Sequence, residues 1–250
     1  IPENLIAKPT LTWMYANKSA TPHDVEVSYL TNGINWLADY ILVVDKSDTA
    51  ASLNGWVTVN NGSGATYQNA KLKLVAGQVN RVQPQIASGA VRSMAFAKNA
   101  DKGFVEAAFF EYHIYDLQRP TTIKDKQTKQ ISLLSAEGVK VKKELLARGE
   151  AGYYRGQYTH GEPMKMPIHV RMKFKNSEEN KLGMPLPAGT VRLYKEDNTG
   201  SLQFAGEDRI DHTPKDEEIS LKIGEAFDVV GERRQTDYQR LGQNLTETAW

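Results

Sequence analysis

Cysteine is absent from the 250 residues. Disulfide frameworks, thiolate metal sites and cysteine nucleophiles are excluded at once. The same absence fits an oxidising export route, and it fits chance equally well. Neither sign of charge is in excess: 31 Lys and Arg stand against 30 Asp and Glu, a formal net charge of +1. A nucleic-acid platform needs surplus cations to displace counterions, so no nucleic-acid partner is expected. No apolar run approaches the roughly 20 residues of a membrane helix, so no membrane span is expected. From Ile1 to Tyr15 there is no basic stretch followed by an apolar run, and hence no visible secretory leader. Ile1 in place of Met leads us to expect a processed or partial chain.

Helical periodicity is also missing. No segment of about 12 residues or more carries apolar residues on one face of a 3.6-residue repeat. No fixed-length repeat appears. The chain contains no GxxxxGK[ST] or GxGxxG phosphate loop, no HExxH zinc pair and no GxSxG nucleophile turn. Gly62-Ser63-Gly64 is only a turn. No cofactor is expected.

What is present is period-two alternation. Hydrophobic residues make up 40% and aromatics 9% of the chain, enough for a core and too much for global disorder. In His23–Leu30 the residues Val25, Val27 and Tyr29 share one face and Asp24, Glu26 and Ser28 the other. Tyr40–Val44, Leu53–Val59 and Tyr67–Val75 continue the pattern, separated by Asn- and Gly-rich turns. Residues 81–103 break it and read as a long connection, helical in part around Ala90–Ala100. Phe109–Tyr115 has aromatics on both faces and reads as a central strand. Thr128–Leu134 and Val139–Leu145 read as a hairpin about Glu137-Gly138. Val191–Tyr194 and Leu202–Ala205 read as another, about Glu196–Gly200.

These signals predict an all-β fold, an antiparallel β-sandwich-type architecture of two packed subdomains with little helix. The expected division is residues 1–100, a β meander ending in the long connection, and residues 101–250, a second β region incomplete at its C-terminus. The expected core comprises Val43, Trp56, Leu74, Phe110, Tyr112, Val170, Phe204 and Val229. Asn244–Trp250 alternates and is fit to pair with a further strand of the same polypeptide or of a neighbouring subunit.

Chemistry has few places to sit. The histidines His23, His113, His160, His169 and His212 are scattered, without metal-ligand spacing. The densest polar cluster is Glu207-Asp208-Arg209-Ile210-Asp211-His212-Thr213-Pro214. Asp208, Asp211 and His212 could act as acid and base or hold Ca²⁺ through oxygen. Alternatively they form a structural corner, with a carboxylate accepting backbone N–H groups and Arg209 or Arg192 pairing with its neighbour. The aromatics of Tyr153–Tyr158 could stack on sugars or bases, or pack a corner of the fold.

Several blocks together are familiar: Tyr29–Trp36, Leu53–Val57, Ala70–Gly77 with Val79-Asn80, Phe110–Tyr115 with Gln118–Ile123, Gly206–Pro214 and Phe227–Arg233. They resemble an uncharacterised bacterial domain related to the C-terminal domain of mucoidy inhibitor A-like proteins. The resemblance implies an all-β, exported protein with no established activity and no catalytic residues to carry over. It also implies further residues before the region and further strands after Trp250. We therefore expect a non-catalytic structural or interaction protein of the bacterial cell envelope, periplasmic, outer-surface or secreted. Its expected partner is another protein or a second copy, joined through β-strand edges. The alternative is a carbohydrate-active or other hydrolase or binding module using Asp208, Asp211 and His212.

Overall fold

A computed structural model describes residues 12, 14–18, 21–77, 104–109, 112–149, 151–154, 156–158 and 163–250. Strand accounts for 60% of the described residues, which contain no α-helix. The all-β expectation holds. The strands are β1 (Ile34–Val44), β2 (Ala50–Asn61), β3 (Tyr67–Ala70), β4 (Lys73–Ala76), β5 (Phe104–Phe109), β6 (Tyr112–Leu117), β7 (Thr121–Ile123), β8 (Gln127–Ala147), β9 (Met164–Lys175), β10 (Gly189–Glu196), β11 (Leu202–Ile210), β12 (Glu218–Arg233), β13 (Asp237–Arg240) and β14 (Thr246–Ala249). Two short 3-10 turns lie at Ala151–Tyr154 and Glu178–Asn180.

Seven strands form one sheet in the order β11-β10-β1-β2-β8-β9-β12, and the others form sheets β4-β6-β5, β3-β7 and β13-β14. The large sheet is mixed. Arg192 meets Asp39, and Glu196 further along β10 meets Lys46 just past β1, so these two strands run parallel. The chain divides into two compact units. One takes residues 1–38 and 55–134, the other residues 39–54 and 135–250.

The first unit is built on Val57, Val59, Leu74, Tyr115, Leu117, Ile123, Ile131 and Leu133, all buried. Asn61 is buried with them and fastens a turn. Its Nδ2 donates to the carbonyls of Ala65, Ile123 and Lys124, and its Oδ1 accepts the Ser63 N–H. The second unit buries Tyr40, Leu42, Val44, Leu53, Val139, Met172, Phe174, Val191, Leu193, Ile219 and Leu221. Here Asn176, fully buried, donates to the carbonyls of Met184 and Pro214 and accepts the Gly183 N–H. Asn180 accepts the Lys140 N–H and donates to the carbonyls of Lys140 and Lys175, tying the interior of β8 to the end of β9 with one side chain.

Six expectations need correction. The buried face of β1 and β2 is the opposite parity: Leu42, Val44, Val57 and Val59 point inward, while Val43 and Trp56 are half-buried on the other side. Tyr40–Val44 is apolar on both faces, so its composition does not fix parity, and a shift of one residue flips the strand. Leu74 is buried as expected; Tyr112 and Val170 are half-buried, and Phe204 and Val229 are exposed. Phe110 and the Ala90–Ala100 segment lie outside the described residues.

The hairpin about Glu137-Gly138 is instead one 21-residue strand, β8. Gly138 takes φ +71 within it, and the alternation of burial breaks there, with Ala136 and Val139 buried on either side of the exposed pair. Phe109–Tyr115 is split between β5 and β6, which pair antiparallel with Phe109 opposite Tyr112. β6 is the central strand of its three-stranded sheet. Tyr67–Val75 is likewise split, with Asn69 at φ +48, so that β3 pairs with β7 and β4 with β6. His23–Leu30 enters no strand, and Val25, Val27 and Tyr29 are exposed.

The β10–β11 hairpin stands as expected. Asp197 holds its turn, accepting the N–H groups of Thr199 and Ser201, with Gly200 at φ +86. The terminal segment pairs within the chain, β14 lying antiparallel to β13 with Asp237 opposite Ala249.

Candidate functional site

β11 and β12 end the order of the seven-stranded sheet, yet they approach one another. Gly206 on β11 has φ +153, and a Cβ placed there would lie 2.3 Å from the Ile223 carbonyl oxygen on β12. Only glycine allows this contact without displacing backbone. Two residues along, Asp208 completes the approach. Its Oδ2 accepts the Lys222 N–H at 2.6 Å and its Oδ1 accepts the Arg209 N–H at 2.9 Å.

The other two predicted side chains do not join it. β11 ends at the buried Ile210, and the chain turns out at Asp211. Asp211 is exposed, and its carbonyl accepts the Thr213 hydroxyl at 2.9 Å. His212 is exposed, and its Nδ1 accepts the Ala188 N–H at 3.1 Å. Two backbone bonds between Leu186 and Thr213, at 2.8 and 2.9 Å, lock the same crossing. Asp208 and His212 thus each accept a different stretch of backbone. Arg192 pairs with Glu207 at 3.2 Å and with Asp39 at 3.4 Å, not with Asp208. Among the described residues no group of three His, Asp or Glu side chains gathers as a metal would require.

Three other polar arrangements were missed in the sequence. His113 Nδ1 lies 2.6 Å from Glu106 Oε1 across β5 and β6. Glu106 stands opposite Tyr115, whose hydroxyl is pushed well above its ordinary value by burial, with the Glu106 charge adding to it. The only sequence signal was a His and a Glu on alternating strands, and pairing them needs the register. Asp48, in the β1–β2 turn, bridges Lys195 at 2.5 Å and Lys143 at 3.2 Å. Burial pushes its carboxyl up, but hydrogen bonds from Lys195 and Lys143 outweigh this and hold it below the usual range. On β9, His169 Nδ1 is buried without a hydrogen bond, 3.7 Å from Glu225.

Tyr153 and Tyr158 pack a corner. The Arg233 guanidinium lies between the rings of Tyr153 and Trp250, 3.8 and 3.4 Å from their centroids. The Tyr158 ring lies 5.7 Å from Trp250. Stacking on Arg233 occupies these rings with a resident cation. No helix among the described residues is long and apolar enough to cross a membrane. No protein-family model, curated protein or solved structure matches the chain.

Proposed function

We propose that this chain is a non-catalytic, exported interaction protein of the bacterial cell envelope that associates by adding a β-strand to a second copy of itself. The observation that carries this reading is His23–Leu30. The segment alternates as a strand does, yet it enters no ladder among the described residues, and Val25, Val27 and Leu30 are 60%, 42% and 91% exposed. Tyr29 is tethered by a hydrogen bond with Tyr67. An extended chain with unpaired N–H and C=O groups and an apolar side is a donor for any open sheet edge. Acceptor edges occur in the same unit, because among the described residues β4 and β5 each border one strand, β6. Every copy therefore carries both halves of the contact. Use of Asp208 and His212 as backbone acceptors supports a structural rather than a chemical role for that cluster.

Light scattering across a concentration series tests the proposal, read together with amide exchange of residues 23–30. We expect dimers or short chains at high concentration, with exchange slowed in this segment. Val27→Pro, which removes a ladder donor without touching a packed residue, should restore the monomer. A monomer at every concentration with fast exchange at residues 23–30 overturns the reading.

A further inference from the structure

A cavity of about 310 Å³ opens in the first unit where the end of β6, the strand β7 and the start of β8 meet. Its floor is apolar: Leu117 and Ile131 are 4% and 7% exposed. Thr121 and Thr122 form a wall, and Arg119 and Lys129 bring two cations to it. No carboxylate lines the cavity.

Several lysines of this surface are neutralised by an acid. Lys73, Lys140, Lys143, Lys173, Lys195 and Lys215 each sit within 4.0 Å of an Asp or Glu oxygen. Among the described residues neither Arg119 nor Lys129 has an acidic partner. The half-buried Lys129 instead donates to the Thr121 hydroxyl at 2.5 Å and the Thr122 carbonyl at 3.1 Å. Two neutral acceptors use two of its three hydrogens and leave the third. The Thr121 hydroxyl accepts from Lys129, and the Thr122 hydroxyl accepts the Asn69 N–H, so each keeps its own hydrogen to donate. Four donors therefore line one concavity with no carboxylate among the described residues to receive them. A partly desolvated cation facing neutral groups gains most from an arriving negative charge.

We propose that this cavity binds a small organic oxyanion, a carboxylate or a phosphate monoester carried on a compact apolar body. The oxyanion meets Lys129, the threonine hydroxyls and the Arg119 fork, and the apolar body rests on Leu117 and Ile131. The volume lies at the lower end of the range for small-molecule sites, which restricts the ligand to about one ring and its acid group. This site shares no residue with the donor segment 23–30, so it stands or falls independently of strand addition.

Titration calorimetry with benzoate, phenyl phosphate, inorganic phosphate and neutral benzamide tests it. We expect saturable one-site binding of benzoate or phenyl phosphate, weakened by added salt and clearly tighter than that of benzamide or inorganic phosphate. Which of the two binds tighter identifies the acid group. Arg119→Gln, at an exposed position that holds no other side chain among the described residues, should weaken binding about tenfold. Lys129→Met should weaken it at least as much, with the fold checked by circular dichroism. Absence of saturable binding by either aryl anion, benzamide binding equally well, or binding unchanged in Arg119→Gln each overturns the proposal.

Discussion

The Asp208 carboxylate accepts the Lys222 N–H at 2.6 Å, so a side chain on β11 supplies to β12 a bond of the kind that a neighbouring strand's carbonyl would make. The contact joins the first and last strands in the order of the large sheet. Removing it leaves a backbone donor short of its acceptor. We expect Asp208→Ala to lower stability by about 1–2 kcal/mol, and Asp208→Asn, which keeps one acceptor oxygen, to lower it less. The denaturation midpoint measures both; equality of Asp208→Ala with the parent would mean that water replaces the bond at no cost.

Gly206 is the stricter requirement at the same seam. Its φ of +153 and the 2.3 Å approach to the Ile223 carbonyl exclude a side chain. Gly206→Ala should cost about 3 kcal/mol through strain and separation of the strands. Gly224→Ala on β12, where a Cβ would meet nothing within 4 Å, should cost under about 1 kcal/mol. Thermal unfolding of the two variants decides; equal losses would place the seam elsewhere.

The parity of β1 is tested by neighbouring truncations. Leu42 is fully buried and Val43 half-buried. Leu42→Ala should cost about 2–5 kcal/mol by emptying a core position, and Val43→Ala about 1 kcal/mol or less. Phe204→Ala, at 56% exposure, should also cost little. A larger loss at Val43 than at Leu42 would reverse the assigned face.

The β1–β2 turn should make stability sensitive to acid. Asp45 is lowered to about 2 by hydrogen bonds from the Ser47 hydroxyl and from the Ala50 and Thr49 N–H groups. Asp48 is lowered too, its lysine partners outweighing burial. An unfolded Asp titrates near about 3.9. Because both folded values lie below that, the stabilisation is complete above about pH 5 and is lost as the pH falls through the folded values, toward about 2. Melting temperatures between about pH 5 and pH 2 should fall less steeply in Asp45→Asn with Asp48→Asn than in the parent. Parallel curves would remove these two groups from the acid response.

Local chemistry made part of this molecule legible. Alternation in Leu53–Val59 and Val191–Tyr194, and Asp197 with Gly200 between two apolar runs, specify strands and one hairpin because a strand's faces and a tight turn depend on residues a few positions apart. Of the proposed cluster, the use of Asp208 as a backbone acceptor was readable as one of two alternatives, but its partner Lys222, fourteen residues away, was not. The same limit hid the Glu106–His113 pair and the cavity between Leu117 and Ile131, which exist only once β5, β6, β7 and β8 are placed.

By itself the sequence determined that this chain is built of strands, that it lacks thiol chemistry, and where several of its turns fall. Tertiary structure alone decided which face of Tyr40–Val44 is buried, that Gly138 lies within a continuous strand rather than ending one, and that His23–Leu30 enters no ladder among the described residues. The reason is that a strand's hydrogen bonds lie outside itself. Alternation states that a segment can pair, whereas its partner, register and inward face are set by the competition among all other edges in the molecule.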